Sequence, residues 1–75
     1  MKKQYLPAAF NKGELYRIKY IDAKGAKTRR DILITSDQTP TAETLYAMCL
    51  KRKELRRFTV TNIRKAKNIT SKLKG

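Results

Sequence analysis

Lysine and arginine are the residues through which this chain could do chemistry. The 75 residues contain 19 Lys and Arg but six Asp and Glu, which gives a formal net charge of +13 and a pI near 10.3. A field of this sign attracts polyanions, of which nucleic acid is the commonest inside cells. The expected chemistry is noncovalent binding of phosphates, to which arginine offers two parallel N–H donors. A solvated basic face without a partner is the alternative.

Side chains suited to catalysis or metal binding are scarce. The chain has no histidine and one cysteine, Cys49. A zinc site would depend on Cys49 and carboxylates, and a cysteine nucleophile would lack the usual histidine base. Neither paired carboxylates nor a glycine-rich phosphate loop is evident. We therefore expect no enzyme, metal or cofactor, and we interpret Cys49 as a small core residue.

The candidate binding residues are cations along the predicted strands and turns, together with one aromatic side chain. A tyrosine that faces outward between such charges could stack on an unpaired base. These candidate nucleic-acid-binding residues are Arg17, Lys19, Arg29, Arg30, Tyr46, Lys51, Arg52, Lys53, Arg56, Arg57, Arg64 and Lys65.

A β-hairpin is predicted in the first half of the chain. Tyr16 and Tyr20 belong to an apolar series that alternates with basic residues, which is typical of a half-buried strand. We expect both tyrosines in the core with their hydroxyls at its rim. Residues 22–25 are expected to form a turn in which Gly25 takes a positive φ. A second strand is predicted over residues 27–35.

Residues 40–57 allow two structures. Thr39 could cap a helix that has Pro40 at its first position, and the following residues are good helix formers. A helix over about 40–55 would give a ββαβ domain. The same residues also divide at period two, with Leu45, Ala47 and Cys49 on one face. Composition alone leaves both structures open.

Residues 47–63 carry a family resemblance. They resemble the strand–turn–strand signature of WYL domains, which are small barrels of bacterial and phage regulators. In that signature an apolar strand ends in Ala-x-Cys, turns through Arg-x-Glu and returns as Arg-x-Phe before a final Ile. The matching residues here are Ala47, Cys49, Arg52, Glu54, Arg56, Phe58 and Ile63, and the earlier hairpin adds Ile18, Tyr20, Asp22 and Gly25.

The resemblance implies a mainly β fold, an SH3- or Sm-like five-stranded barrel over residues 14–69. Arg52-Lys53 would be a tight turn and residues 63–69 the fifth strand. Independently of the resemblance, residues 1–13 are mixed in composition and end at Gly13, which indicates a loosely held N-terminal arm from which Tyr5, Leu6 and Phe10 could still pack onto the barrel. Residues 70–75 are interpreted as a basic tail. The name-giving triplet reads Glu43-Thr44-Leu45, and Asn62 replaces a usual arginine. These departures weaken the inference of a small-ligand pocket more than they weaken the inference of a barrel.

Arg56 is a specific candidate for a binding residue within this resemblance. Strand alternation places it on the same side as Phe58, which must face the core. Because an unpaired charge is not buried, Arg56 should emerge at the barrel mouth or pair with Glu54 or Asp31. In the family the matching arginine belongs to a surface that contacts ligand or nucleic acid. A structural ion pair is the other interpretation.

Three functions follow as expectations. The first is a nucleic-acid-binding accessory or regulatory module, for example in transcription regulation, that contacts phosphates and favours single-stranded DNA or RNA. The second is a protein-interaction module of phage or mobile-element origin that docks on an acidic partner. The third is a small-ligand or nucleotide sensor, by family analogy alone. No stretch approaches the roughly 20 apolar residues that span a bilayer, and nothing resembles a signal peptide, so we expect a cytoplasmic protein without membrane contact.

Overall fold

A computed structural model describes residues 4–71. The strands of these residues form one five-stranded antiparallel sheet. The strand order is β4-β3-β2-β1-β5, which leaves β4 and β5 at the two edges. The fold is therefore mainly β, as the barrel interpretation predicts. The elements are β1 (Leu15–Ile21), β2 (Lys27–Ile34), β3 (Thr44–Cys49), β4 (Glu54–Thr59), a 3₁₀ turn (Val60–Asn62) and β5 (Ile63–Asn68).

The predicted β1–β2 hairpin is confirmed. Its register places Tyr16 opposite Ile32. The carboxylate of Asp22 organises the turn, because it accepts the backbone N–H groups of Lys24 and Ala26, both at 2.9 Å. Gly25 has φ 82°, a left-handed conformation in which a side chain would be strained.

The helix considered for residues 40–55 is wrong, since the segment forms β3 and the start of β4. Leu45, Ala47 and Cys49 are buried, as the period-two division predicts. The strand forms because β3 pairs with β2 on one side and with β4 on the other. An isolated helix of this length is marginal in water, so the packing that these two neighbours offer decides the structure.

The sheet curls because its core is shared by distant strands. Tyr20 of β1 packs edge-to-face on Phe58 of β4, with ring centroids 5.4 Å apart. The backbone N–H of Thr59 donates to the Tyr20 hydroxyl at 3.2 Å. These contacts join strands that lie at opposite sides of the strand order, and they give the small β domain a barrel-like form. The core cluster comprises Phe10, Tyr16, Ile18, Ile32, Ile34, Leu45, Ala47, Phe58, Val60 and Ile63.

Tyr16 is buried with its hydroxyl at the rim, as expected. The hydroxyl donates to the Glu14 carboxylate at 3.1 Å. Burial, followed by that carboxylate, raises the pKa of Tyr16 above its ordinary value. The ring is therefore a neutral core residue, and it leaves the first strand's cations to form any anion-binding surface.

Phe10 and Tyr5 of the N-terminal arm pack onto the sheet, as the sequence allowed. Phe10 is 0% exposed and packs edge-to-face on Tyr16, with ring centroids 5.0 Å apart. Its backbone N–H and C=O both bond to Gln38, at 2.7 and 2.8 Å. Tyr5 pairs with β5, since its N–H donates to the Arg64 carbonyl and its carbonyl accepts from Ala66, both at 2.9 Å. The arm thus contributes a core residue and extends the β5 edge.

The basic tail expected at residues 70–75 lies mostly outside the described residues. Its first residue, Thr70, is tied to the sheet, because the Leu15 N–H donates to the Thr70 hydroxyl at 3.0 Å. Across residues 4–71, no helix has the length and apolar character needed to cross a bilayer.

Candidate nucleic-acid interface

Three cations form one row across the outer face of the sheet. The register places Lys19 of β1 opposite Arg29 of β2 and also opposite Lys65 of β5. Directly opposed residues have Cβ atoms about 4.5–5.5 Å apart, and like charges at that spacing destabilise a sheet. All three residues are exposed. An anion bound from solution would relieve their repulsion.

Arg64 lies beside this row because the sheet contains an irregularity. Lys19 pairs with Lys65 but Tyr20 pairs with Ile63, so Arg64 is an extra residue without an opposed partner. Bulges of this kind re-aim a side chain and are common beside functional sites. The Nε of Arg64 is buried and has no hydrogen-bond partner among residues 4–71. Its guanidinium therefore carries an unmet donor.

Two neighbouring hollows share Arg64 and Lys19 in their walls. One is also lined by Tyr20, Lys27 and Arg29, and the other by Tyr5 and Lys65. Within the described part of the chain, neither hollow has an acidic side chain in its lining. We call the cations that surround the two hollows the basic face, which consists of Lys19, Lys27, Arg29, Arg64 and Lys65.

Tyr5 and Lys27 belong to this site although the sequence did not single them out as binding residues. Tyr5 is 63% exposed, yet its backbone is fixed on β5. The parallel pairing that brings Tyr5 to Lys65 joins residues far apart in the chain. No local sequence signal predicts such a pairing. Lys27 begins β2, and its basic character was the one available signal.

Arg17 is on the same strand and face as Lys19, but its charge is paired. Its Nε donates to Asp31 Oδ1 at 2.8 Å and its Nη2 donates to Oδ2 at 3.2 Å. These hydrogen bonds, together with the charge of Asp31, raise the pKa of Arg17. The bidentate pair crosses from β1 to β2. Arg17 is therefore less available to an external anion than Lys19 is.

A further hollow joins the basic face to the turn between β3 and β4. Arg29, Arg30 and Lys51 contribute to its lining. Arg30 lies opposite Ile18, so it sits on the core side of β2 and remains half-buried. The turn residues Lys51, Arg52 and Lys53 are all exposed. Of the predicted turn cations, Lys51 therefore shares a hollow with Arg29 and Arg30, and Asp31 lines the same hollow.

Tyr46 and Arg57 lie elsewhere on the outer face. They oppose each other across β3 and β4, and Tyr46 is exposed as predicted. An apolar row of three paired residues lies between them and the basic face. It consists of Leu33 of β2, Met48 of β3 and Leu55 of β4. Tyr46 therefore has Arg57 as its cross-strand cation and is remote from the basic face.

Arg56 forms an ion pair with Glu54, as one of the two interpretations of this residue predicted. It lies opposite the buried Ala47, on the core side of β4. Its Nη1 is 3.6 Å from Glu54 Oε1, and both side chains are substantially exposed. Such exposed pairs contribute little to stability. The contact leaves Arg56 at the open rim of the sheet, where it can still reach an external group.

Cys49 is a buried free thiol, as the core interpretation predicts. Among residues 4–71, no group of three or more His, Cys, Asp or Glu side chains is placed to hold a metal ion. Comparison with protein-family models, with curated proteins and with solved structures found no match to this chain.

Proposed function

We propose that this protein is a nucleic-acid-binding accessory or regulatory module that contacts backbone phosphates through its basic face. One observation carries the proposal: three cations stand side by side across β5, β1 and β2, and no acidic side chain of residues 4–71 lines the two hollows that contain Lys19 and Arg64. A structural role for such a row would call for counter-charges in the sheet. A binding role explains why repulsion is tolerated there.

Single-stranded DNA or RNA suits this surface better than duplex DNA. The described residues include no α-helix that could enter a major groove. Exposed cations on a curved sheet can follow a flexible backbone, and such contacts carry little sequence information. The WYL-like residues fit a regulatory role of this kind, and we propose a cytoplasmic location for it.

Titration of labelled single-stranded and duplex oligonucleotides by fluorescence anisotropy tests the proposal. Affinity should fall steeply between about 50 mM and 200 mM salt, with a log–log slope of about 0.7 for each contacted phosphate on a single strand. If all five cations of the basic face engage, the slope is about 3.5. Binding that is weak and indifferent to salt would refute the proposal.

A protein-interaction module is the second candidate, and the β4 edge favours it. The Val60 N–H donates to the carbonyl of Glu43, the residue before β3. The Thr59 N–H points away from β3 and donates to the Tyr20 hydroxyl. Backbone N–H and C=O groups alternate in direction along a strand, so the backbone N–H and C=O groups of Leu55 and Arg57 point away from β3, toward the open edge. Leu55 is also 59% exposed. An open edge of this kind can accept an added strand from an acidic partner.

Affinity purification with and without nuclease separates the two candidates. A nucleic-acid-binding module should lose its co-purifying material when nuclease is added. A single acidic protein that stays bound in stoichiometric amount after nuclease treatment, and that is lost with Leu55→Lys, would instead support docking at the β4 edge. Leu33→Lys on the same apolar row is the control away from the edge.

A further inference from the structure

We propose that Tyr5 and Arg64 form a subsite for one unpaired nucleotide, in which Arg64 binds the phosphate and the Tyr5 ring stacks on the base. The proposal rests on the function proposed above and makes it specific, because it selects single strands over duplexes. The two side chains line the same hollow, together with Lys19 and Lys65.

The phosphate half of the subsite follows from the place of Arg64 in the wall of a hollow that two lysines share. A guanidinium binds phosphate through parallel N–H···O bonds, which needs a free edge and an orientation fixed by the protein. The bulge supplies the orientation, and the Arg64 Nε has no partner within residues 4–71. Lys19 and Lys65 add two positive charges in the same hollow. A phosphate in that hollow would contact the part of the Arg64 side chain that lines it and would neutralise the row.

The base half follows from the rigid display of Tyr5. Its backbone N–H and C=O are both bonded to β5, at 2.9 Å each. The side chain of the preceding residue, Gln4, donates to the carbonyls of Val60 and Ile63, also at 2.9 Å each. A ring that is 63% exposed on so firmly held a backbone contributes little to the core. It is instead already positioned for stacking, and little entropy is lost when a base arrives.

Selectivity for single strands follows from the need for a free base face. A base within a duplex has both faces covered by its neighbours, so it reaches Tyr5 only after unstacking. A single strand can bring a phosphate to Arg64 and the adjoining base to Tyr5. The duplex would then be bound by the cations alone.

Tyr5→Ala tests the base half, with single-stranded and duplex oligonucleotides of the same sequence as probes. Loss of stacking should weaken single-strand binding by about 10-fold and duplex binding by less than about twofold. Tyr5→Phe should retain the affinity, and Tyr5→Leu should not, although it keeps an apolar side chain on β5. Tyr46→Ala is the matched control, since Tyr46 is also exposed but lies beyond the apolar row.

Arg64→Lys tests the phosphate half, because lysine keeps the charge and loses the planar fork. We expect single-strand affinity to fall by about 5-fold at constant ionic strength. Arg57→Lys, on the same outer face but outside the hollows, should change it by less than about twofold. The urea midpoint of each variant shows whether the fold is intact.

The outcomes separate the subsite from the wider proposal. If Tyr5→Ala leaves single-strand binding unchanged, or weakens both probes equally, the subsite is refuted. In that case a steep salt dependence of the parent protein would still support phosphate binding by the basic face. If the parent protein binds neither probe, both proposals fail together.

Discussion

At the scale of single residues, the sheet register decides which charges are available. Arg17 and Lys19 occupy the same face of β1 and are two residues apart. Arg17 faces a carboxylate across the strand pair, whereas Lys19 faces two further cations. Arg17 therefore has a structural role, whereas Lys19, two residues later, is available to an external anion.

We expect Lys19→Gln and Arg17→Gln to have opposite effects. Removing Lys19 should lower the salt slope of single-strand binding by about 0.7, because one phosphate contact is lost. It should also stabilise the fold by about 0.2–1 kcal/mol in low salt, because it relieves like-charge repulsion across the strands.

Arg17→Gln should leave the slope nearly unchanged and slightly destabilise the fold, since it removes the pair with Asp31. Anisotropy titrations and urea unfolding of the two variants provide both measurements. Equal loss of binding in the two variants would contradict the assignment of Arg17 as a structural cation.

Sequence reasoning found most of the cations of the interface but not their partners. The alternation in β1 correctly placed Lys19 outward, and the same reasoning placed Tyr46 outward. The pairing of Arg17 with Asp31 depends on the hairpin register, and the place of Tyr5 depends on contact with β5. Charge and period describe one strand at a time, so they could not supply these cross-strand facts.

At the scale of elements, the β3–β4 hairpin shows how neighbours override local preference. Residues 40–55 are rich in helix formers, and composition could not exclude a helix. The turn between the strands contains Lys53 at φ 54°, and the Lys53 N–H donates to the Cys49 carbonyl at 2.7 Å. The predicted turn at Arg52-Lys53 is confirmed, and it includes a conformation that lysine does not favour.

We expect Lys53→Gly to stabilise the protein. A side chain at positive φ costs roughly 1–2 kcal/mol, and glycine removes this strain at the expense of about 0.5–1 kcal/mol of extra unfolded-chain entropy. The net gain should be about 0.5–1 kcal/mol in the free energy of unfolding, measured with urea.

Lys53→Ala is the matched control for that substitution, because alanine loses the charge but keeps the strain. It should be close to neutral. If Lys53→Gly unfolds at lower urea than Lys53→Ala does, the left-handed turn residue is not a source of strain.

At the scale of the whole molecule, a net charge of +13 opposes compaction. The small size of the chain limits the apolar area that can offset this repulsion. Sequence composition established the charge, and the strand pattern supported a barrel. Neither could show that the arm residue Phe10 completes the core, because its backbone bonds to Gln38 join residues on either side of the β1–β2 hairpin.

We expect sodium chloride to raise the melting temperature. Raising the ionic strength from about 0.01 M to 0.15 M shortens the Debye length from about 30 Å to 8 Å, which screens the repulsion. A gain of about 1 kcal/mol would appear as a shift of roughly 4–8 °C in a domain of this size. Circular dichroism melts of the parent and of Lys19→Gln provide the measurement, and the variant should respond less. A melting temperature that falls with salt would contradict this account.

The placement of β1 between β2 and β5 has a consequence for the newly made protein. Arg64 and Lys65 belong to β5, which follows the other four strands in chain order, while Tyr5 precedes β1. Until that final strand emerges, Lys19 has only its hairpin neighbour, and the hollows around Arg64 do not exist. A nascent chain surrounded by ribosomal RNA therefore lacks the assembled basic face, the proposed phosphate site, which is complete only after β5 has emerged.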